Sequence, residues 1–382
     1  MNVLVFSEYF PSHNQGITGG VESRAFHLLR ETAKKHHVTV ICSYQDRQPR
    51  IDRVDGVTVL RVGPKSPYAN TGNILRRLGY VSAAFATGVL LPKIDVVEGW
   101  TYLNYPLAWL VGRIKGKPVV QTYHESWTFT EWLRKGWITG MFGWLWARFS
   151  LAALPATRYI AVSNATKERL VEQGIRSRKI DVVYNGVDAT TFRSIKVRPL
   201  RQPSVSTTAR LIKTKRVDVL IKAIALLKKE YPDIILTING EGEEEPRLRQ
   251  LVAQLRLERN VVFKGRIGRF EDVLRLRKRH QVFCLPSEVE GFGMVVVEAM
   301  ALGVPVVCTD IPVLREVAGK SASLFKPGDA DDLAEKLGAL LADARLRQRK
   351  SKEAFRHAQS FDWKKIALRA DAVYRSVSSA KK

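Results

Sequence analysis

Two glutamates in the last third of the sequence have a spacing that could serve chemistry. Glu290 and Glu298 lie in "SEVEGFGMVVVEAMALGVPVV", directly after the strand-like run "QVFCLP". Gly291 and Gly293 predict a tight turn, so Glu290 lies in the turn and Glu298 about one and a half turns into the next helix. The start of that helix offers free N–H groups and a partial positive charge. Read alone, the stretch is a strand, a turn and a helix packed under a sheet, and the acids at its two ends raise the question of what they bind.

Two cations lie in the loop after the first strand candidate of the second half. In "TTARLIKTKRVDVLIKAI", Arg210 and Lys215 precede a helix, where they could neutralise a diphosphate leaving group without a metal ion. Each alone is typical of a solvated surface charge in so basic a chain. Together with the paired glutamates they favour a binding site, because ligands of open parallel sheets bind at the loops that follow the strands.

A glycine pair marks a third candidate site. Gly19 and Gly20 follow the first strand and stand directly before a helix that begins near Val21, a geometry that can cradle phosphate. A flexible glycine turn explains the pair equally well. The spacing matches neither the dinucleotide fingerprint nor the GxxxxGK[ST] loop, which weakens dehydrogenase and NTPase interpretations.

Strand-like runs alternate with amphipathic helical patterns, which predicts parallel sheets built from β-α-β units. The first-half strand candidates are Val3–Phe6, Val38–Cys42, Val57–Val62, Val96–Glu98, Val119–Tyr123, Tyr159–Val162 and Ile180–Val183. Those of the second half are Val205–Thr207, Ile234–Ile238, Val261–Phe263, Val282–Leu285, Val306–Cys308 and Ser323–Phe325. The basic, proline-containing stretch Arg193–Ser204 between them reads as a linker. We predict an α/β protein with two Rossmann-like, doubly wound domains facing a cleft, at residues 1–195 and 196–362, and a C-terminal helix at about 363–382 that packs on the first.

The composition limits the class of protein. The 382 residues are 45% hydrophobic and 26% charged, as in an ordinary globular chain. Cys42, Cys284 and Cys308 show no paired spacing, so we expect neither a disulfide nor a zinc site and favour a reducing cytoplasm. We expect "MNVLVFSEYFP" to be a core strand and not a signal peptide, and the charge-free stretch Leu78–Pro92 is too short to span a bilayer. These features predict a soluble or peripheral protein.

Motifs along nearly the whole chain resemble those of the retaining GT-B glycosyltransferases of family 4, which transfer a sugar from a nucleotide-sugar to an acceptor. The matching stretches are "GGVES", "TYHES", "AVSNATKERL", "YNGVD", "ARLIKTK", "INGEGEEEPRL", "VVFKGRI", "LPSEVEGFGMVVVEAMALGVPVV" and "TDIPVLREV". One residue departs from the pattern: Arg216 stands where members usually have glycine. We expect this departure to alter only the start of the helix that follows.

The resemblance implies roles for the paired-glutamate segment. Glu298 would accept hydrogen bonds from the ribose hydroxyls of the nucleotide, since a carboxylate suits a vicinal diol. Glu290 and the backbone of Phe292 and Gly293 would hold the donor sugar, and Gly291 belongs to the same donor-binding turn. Such enzymes are usually described as reacting on one face of the sugar, so Glu290 need not be a nucleophile.

The resemblance also assigns the remaining candidates. Arg210 and Lys215 would take the charge that grows on the departing diphosphate, so we expect no metal ion and no other cofactor. Gly19 and Gly20 would lie against phosphate or acceptor. His124, in "TYHES", would lie across the cleft near the sugar, although by spacing alone it is typical of a hydrogen-bonded histidine at a strand end.

A tryptophan-rich segment bears on the acceptor. "SWTFTEWLRKGWITGMFGWLWARFSLAAL" holds Trp127, Trp132, Trp137, Trp144 and Trp146 beside the basic residues Arg134, Lys135 and Arg148. Tryptophan with arginine and lysine is typical of a membrane interface, but a helix packed in the first domain or a dimer contact would also explain it. "NILRRLGYVSAAFATGVLLPK" is a second candidate of the same kind, and we expect it to be core.

The net charge of +25 indicates a polyanionic partner, either nucleic acid or an anionic membrane. The tryptophans cluster with aliphatic residues, unlike the stacking aromatics of a basic nucleic-acid groove, so we favour the membrane. The expected acceptor is then a lipid-linked sugar or glycolipid at the cytoplasmic face, with a soluble acceptor as the alternative. An epimerase of the same fold acting on UDP-N-acetylglucosamine fits the second glutamate less well.

Overall fold

The computed structural model describes residues 1–12, 19–45, 48–66, 73–133 and 136–379. The chain forms two compact units. Unit 1 comprises Met1–Asn185 together with Trp363–Lys382, and unit 2 comprises Gly186–Asp362.

The described residues of unit 1 form one sheet in the strand order β3-β4-β2-β1-β5-β6-β7-β8. All neighbouring strands are parallel except β3 and β4, which form an antiparallel hairpin. The strands are β1 Asn2–Phe6, β2 His37–Ser43, β3 Ile51–Val54, β4 Val57–Val62, β5 Val96–Trp100, β6 Val119–Tyr123, β7 Arg158–Ala161 and β8 Ile180–Val182. The pairing of apolar runs from distant parts of the chain is what the alternating sequence pattern predicts.

Strand β3 was not among the predicted strands. It is a short edge strand whose central residues, Asp52 and Arg53, are charged, so its apolar pattern is weak. Asp55 and Gly56 connect it to β4 with φ angles of +47° and +88°. Positive φ at both central residues is typical of a two-residue hairpin turn, and the Asp-Gly pair is the sequence signal that would have predicted it.

Unit 2 has a fully parallel sheet in the order β11-β10-β9-β12-β13-β14. The strands are β9 Ser204–Thr208, β10 Ile235–Asn239, β11 Val261–Phe263, β12 Val282–Leu285, β13 Val306–Thr309 and β14 Ser323–Phe325. Each of them overlaps a predicted strand. The strand order reverses beside β9, so the loops after β9 and β12 flank the switch point at which open parallel sheets bind ligands.

Helices cover both faces of each sheet. In chain order they are α1 Gly20–Ala33, α2 Ile74–Leu90, α3 Asn104–Ile114, α4 Phe129–Leu133, α5 Trp137–Ala153, α6 Asn164–Glu172, α7 Ala189–Ser194, α8 Val217–Leu227, α9 Glu245–Gln254, α10 Phe270–Arg279, α11 Met294–Ala301, α12 Pro312–Ala318, α13 Ala330–Ala342, α14 Ala344–Ala358 and α15 Trp363–Ser379. Each unit buries its own apolar core between sheet and helices, as Phe6 and Tyr105 do in unit 1 and Leu220 and Leu236 in unit 2.

The division between the units falls after Asn185 rather than after Ile195, the predicted end of the first domain. The reason is that α7, which precedes the linker, packs against α11 of unit 2. The C-terminal helix α15 belongs to unit 1, where it packs against α1. A buried hydrogen bond of 2.6 Å from the hydroxyl of Tyr374 to Glu98 Oε2 fixes it to β5.

The order of the strands determines the helix positions in unit 1. The connections from β4 to β5 and onward to β8 all run in one direction across the sheet, and the connection from β1 to β2 runs the other way. Because such crossovers are right-handed, α2, α3, α5 and α6 cover one face and α1 the other. The helices α1, α2 and α5 all begin at the edge of the sheet where the preceding strands end. His124 directly follows β6 at this same edge.

Candidate functional site

In unit 2, the loops after β9 and β12 bring Lys215 and Glu290 into contact. Lys215 Nζ donates a hydrogen bond of 2.7 Å to Glu290 Oε1 and one of 3.3 Å to the carbonyl oxygen of Val289. The two side chains are 15% and 13% exposed, so their charges meet in a place that is only partly open to water. Two residues 75 positions apart in the sequence are thus joined at the switch point of the sheet.

The sequence predicted that Arg216 alters only the start of α8, but the structure gives this residue a wider role. It caps that helix with φ +45°, a conformation that favours glycine, and its guanidinium bonds the carboxylates of Asp218 and Glu288. The backbone N–H of Glu288 donates to the carbonyl oxygen of Thr214 at 2.9 Å. The Arg216–Glu288 pair therefore ties together the same two loops that carry Lys215 and Glu290. Arg210 lies on the first of these loops, is exposed, and does not take part in the Lys215–Glu290 contact.

The glycines of "INGEGEEEPRL" allow the loop after β10 to lie against the loop after β9. A Cβ atom on Gly240, which has φ +137°, would lie 1.9 Å from the carbonyl oxygen of Ala209, and one on Gly242 would lie 2.4 Å from that of Leu211. Hydrogen bonds of 2.9 Å from Leu211 N to Glu241 O and from Glu244 N to Leu211 O close the contact. This close approach requires glycine at both positions, because any side chain would collide with backbone.

The turn before α11 is similarly constrained. Gly293 caps the helix with φ +84°, and a Cβ atom there would lie 2.7 Å from Leu314 Cδ2. Phe292 is buried and meets the edge of the Phe361 ring at 5.8 Å between centroids, while Gly291 is half-buried. The phenylalanine thus anchors the turn, and the backbone at the start of α11 is held close to Glu290.

Glu298 lies on α11 at the predicted depth, but its surroundings were not predicted. Its side chain is 8% exposed, and Oε2 accepts a hydrogen bond of 2.8 Å from Arg277 Nη1 of α10. Arg277 is itself buried and places its guanidinium 4.7 Å from the centre of the Phe283 ring. In "FEDVLRLRKRH" this arginine looks like one more surface charge; its only sequence signal is that it shares a helix face with the apolar Val273 and Leu274.

In unit 1, Gly19 and Gly20 form the start of α1. Gly19 is the N-terminal cap in extended conformation, with φ −146°, and its carbonyl oxygen accepts from Ser23 N at 2.9 Å. Residues 13–18, which come shortly before Gly19 in the sequence, lie outside the described residues. The choice between a phosphate cradle and a glycine turn therefore stays a prediction.

His124 belongs to a buried cluster at the same sheet edge. Its ring meets Trp100 edge-on at 5.7 Å, and the guanidinium of Arg24, from α1, lies 5.7 Å from the centre of a Trp100 ring. Burial, with a smaller effect of the Arg24 charge, lowers the pKa of His124 to about 3. The ring is therefore neutral near pH 7, and Nε2 is buried without a hydrogen-bond partner among the described residues.

Arg24 and Glu98 complete this cluster, and sequence reasoning identified neither. Arg24 Nη1 donates to the carbonyl oxygens of Val183 and Tyr184 and to Asn185 Oδ1. Burial lowers the pKa of Arg24 to about 10, opposed by the charge of Glu98. Burial likewise raises the pKa of Glu98, opposed by its hydrogen bonds from Thr122 and Tyr374. The glutamate in the buried strand "VVEGW" was the available signal, since an unpaired acid is rarely fully buried.

The tryptophans of the rich segment divide into packed and exposed residues. Trp127 and Trp132 pack on each other at 5.1 Å, and Trp132 also meets Tyr102 at 5.7 Å. Trp144 packs edge-on against Phe129 at 5.1 Å. The expectation of packing in the first domain thus describes these three rings, while Arg134 and Lys135 lie outside the described residues.

The remaining two tryptophans belong to an exposed apolar face of α5, which we call the α5 face. Trp137 is 71% exposed, and Trp146, which donates to the carbonyl oxygen of Tyr102 at 3.4 Å, is 37% exposed. The other members of the α5 face are Ile138, Phe142, Leu145 and Phe149, each more than half exposed. Contiguous apolar surface of this kind typically marks an interaction site.

The start of α2 is also exposed, which corrects the expectation that this segment is core. Ile74 and Leu75 are each 73% exposed and Leu78 is 58% exposed, whereas Tyr80, Ala84 and Gly88 face the sheet. Only the later part of the helix follows the core pattern. Among the described residues, no helix is long and apolar enough to cross a bilayer.

Two family models match the chain, one after the other. Glycosyltransferase Family 4 matches residues 18–191, and Glycosyl transferases group 1 matches residues 188–357. The chain belongs to glycosyltransferase family 4. It is accordingly a glycosyltransferase, and its two Rossmann-like units are those of the GT-B fold.

Relatives of this glycosyltransferase match over nearly its whole length. It is 27% identical to a glycogen synthase of Mycobacterium tuberculosis, across 98% of this chain and 94% of the relative. It is 25% identical to the phosphatidylinositol N-acetylglucosaminyltransferase gpi3 subunit of Schizosaccharomyces pombe, across 98% and 80%. Its fold is similar to that of Anabaena HepE in complex with UDP and glucose, with a TM-score of 0.76, 20% identity, and coverage of 98% and 100%.

Proposed function

We propose that this glycosyltransferase takes its sugar from a nucleoside-diphosphate sugar, retains the anomeric configuration, and needs no metal ion. The observation that carries the proposal is the Lys215–Glu290 contact at the ends of β9 and β12. It combines a cation for a diphosphate with a carboxylate for sugar hydroxyls, beside the start of α11. The UDP and glucose bound to HepE, a protein of the same fold, support this kind of donor.

The proposed chemistry is a substitution at the anomeric carbon. The acceptor oxygen bonds to that carbon, the bond to the diphosphate breaks on the same face, and the hydroxyl proton passes to the leaving phosphate. Lys215 has three N–H donors, so it can retain Glu290 and also meet the diphosphate, on which negative charge grows in the transition state. Glu290, with the backbone of Phe292 and Gly293, positions the sugar, and Glu298 accepts from the ribose hydroxyls.

The proposed independence from a metal ion rests on the permanent positive charge of two side chains. Arg210 and Lys215 supply two cations on one loop, the electrostatic contribution that a divalent ion makes in other sugar transferases. The sequence has one Asp-x-Asp stretch, Asp329 to Asp331. There Asp329 Oδ1 accepts from the backbone N–H groups of Asp331 and Asp332, so this carboxylate caps α13.

A donor screen tests the proposal. The full-length protein is incubated with UDP-, GDP- and ADP-sugars in excess EDTA, and release of the nucleoside diphosphate is measured with candidate acceptors. We expect turnover with one nucleotide class in EDTA, and an α-linked product from an α-linked donor when the product is examined by NMR. Turnover that stops on chelation and returns with manganese would contradict metal independence, and inversion at the anomeric carbon would contradict retention.

For the acceptor, we propose a lipid-linked sugar or glycolipid at the cytoplasmic face of an anionic membrane. The α5 face and the exposed start of α2 begin at the sheet edge that also carries His124. The exposed Arg76 and Arg148 lie on the same two helices, and the chain as a whole carries a charge of +25. Apolar side chains among cations suit the headgroup region of an anionic leaflet. The phosphatidylinositol named for the gpi3 relative supports a lipid acceptor, whereas the glycogen synthase relative favours a soluble one.

A further inference from the structure

Arg277 and Glu298 form an isolated buried ion pair in unit 2. The side chain of Arg277 is 1% exposed, and its Nη1 donates to Glu298 Oε2 at 2.8 Å. The guanidinium lies 4.7 Å from the centre of the Phe283 ring, and its Nε has no hydrogen-bond partner in unit 2, all of whose residues are described. The arginine thus reaches Glu298 from α10 and gains no second carboxylate.

Stability alone does not explain this pair. A buried ion pair costs desolvation that its attraction barely offsets, and apolar residues of similar volume are often as stable or more so. The pair does, however, fix one oxygen of the carboxylate. The other oxygen, Oε1, receives no hydrogen bond from the described residues, and the side chain keeps 8% of its surface open. Oε2 of Glu298 is thus bound by Arg277, while Oε1 is available to accept a hydrogen bond from a ligand.

We propose that Arg277 is the positioning residue for ribose recognition: it holds the Glu298 carboxylate oriented so that Oε1 accepts from a ribose hydroxyl of the donor nucleotide. This inference rests on the proposed role of Glu298. Arg277 touches neither nucleotide nor sugar and acts only through the carboxylate. Lysine reproduces the charge but neither the planar fork nor the stacking on Phe283, so it replaces arginine only in part.

The test uses matched ligands that differ by one hydroxyl. Binding of UDP, GDP and ADP and of their 2′-deoxy counterparts is measured by calorimetry on the full-length wild type, and the best-bound pair is kept. We expect the wild type to prefer the ribonucleotide by about tenfold, the worth of one hydrogen bond to a charged group. R277M should bind the ribonucleotide about tenfold more weakly, leave the deoxynucleotide nearly unchanged, and so abolish the preference. R277K should recover part of it.

R61M is the matched control for loss of a buried arginine. Arg61 is also 1% exposed and pairs with Asp52, but it belongs to unit 1 and is not one of the residues of the candidate nucleotide site. We expect R61M to lower the melting temperature and to keep the full preference for ribose. If R277M does not fold, R277K carries the test, with a preference between those of the wild type and E298A.

The outcomes separate this inference from the proposed function. If E298A loses the preference for ribose and both Arg277 variants keep it, the positioning role of Arg277 is wrong and the role of Glu298 stands. Equal weakening of both nucleotides in R277M would show a structural effect and would also overturn the positioning role. If E298A binds all six nucleotides as the wild type does, or if the wild type binds none of them, the proposed role of Glu298 itself fails.

Discussion

The loops of unit 2 and the α5 face of unit 1 differ in how well the sequence predicts where their side chains lie. In unit 2, candidates chosen by chemical type meet in space, as Lys215 and Glu290 do at 2.7 Å. In unit 1, tryptophans with the same sequence context separate, since Trp144 packs on Phe129 while Trp137 is 71% exposed. A charged residue in the loop after a parallel strand lies at one known edge of the sheet, so its neighbours can be predicted. An apolar residue on a helix can instead face the core, a partner or a membrane.

The largest expected effect concerns Lys215 in unit 2 and tests whether its contact with Glu290 marks the catalytic site. K215A should lower kcat by about 100- to 1000-fold, because the positive charge is needed most as charge develops on the leaving diphosphate. Donor affinity should fall much less. Steady-state kinetics with saturating donor measures both, and K213A is the control, because Lys213 is an exposed lysine two positions away. A loss confined to donor affinity would reduce Lys215 to a ground-state contact.

The next prediction tests the unit 1 side. Replacing Trp137 and Trp146 together by serine should weaken co-sedimentation with anionic vesicles by about tenfold or more, since both rings would leave the bilayer interface. The wild type should ignore neutral vesicles and be partly released by high salt, because the attraction of its cations is screened. W144S is the control, because it removes a packed ring; we expect lower stability and unchanged vesicle binding. Binding that is lost equally in W144S would show that the effect is one of folding.

The sequence predicts the strands and the charged loops of unit 2 better than it predicts the buried charges and the α5 face. The strand predictions matched wherever β-branched runs alternate with helical patterns, and β3 was missed because its edge position tolerates charged residues. The paired glutamates and the Lys215 loop could be chosen as candidates from the sequence, because glycine turns and charges that follow strands leave few alternatives, and the structure brings Lys215 and Glu290 into contact. Arg277 and Arg24 were not identified, because only the fold shows that these charges are buried. Glu98 was not identified either, although an acid within the apolar strand "VVEGW" was a signal for it. The α5 face was left ambiguous because α5 is apolar on all sides and so carries no directional pattern.

A smaller effect sharpens the description of the buried cluster in unit 1. The pKa of His124 is about 3 in the folded chain and about 6.5 in an unfolded one. Above pH 6.5 the ring is neutral in both the folded and the unfolded chain, so its burial carries no cost that depends on pH. As the pH falls from 6.5 towards 3, the ring takes up a proton only in the unfolded chain, and the free energy of unfolding decreases. H124Q should reduce the loss of unfolding free energy between pH 7 and pH 5 by about 1–2 kcal/mol.

Urea unfolding at the two pH values measures this difference. H37Q is the control, because His37 is exposed, and it should behave as the wild type. An H124Q variant with the pH dependence of the wild type would mean that His124 is not held neutral by burial. We also expect no ionisation of His124 in the activity profile between pH 5 and pH 8.

The smallest expected effect concerns Arg216, where the two loops of unit 2 are tied. R216G relieves the φ of +45° but removes the contacts to Asp218 and Glu288, whereas R216A removes the contacts and keeps the strain. R216A should therefore be less stable than R216G by about 1 kcal/mol. Thermal unfolding of both variants measures this, and equal stabilities would show that the positive φ carries no cost here. Both variants should lower kcat only a few fold, since Lys215 and Glu290 remain.

Hydrogen exchange with and without nucleotide tests the central claim most directly, which is that unit 2 binds the donor nucleotide through the loops after β9 and β12. The full-length protein is labelled in D₂O alone and with the best-bound nucleoside diphosphate, and protection is read by mass spectrometry. We predict added protection in peptides covering residues 210–217 and 287–298 and unchanged exchange in α5. Protection that is absent from both of these segments, or that appears only in unit 1, would contradict the account.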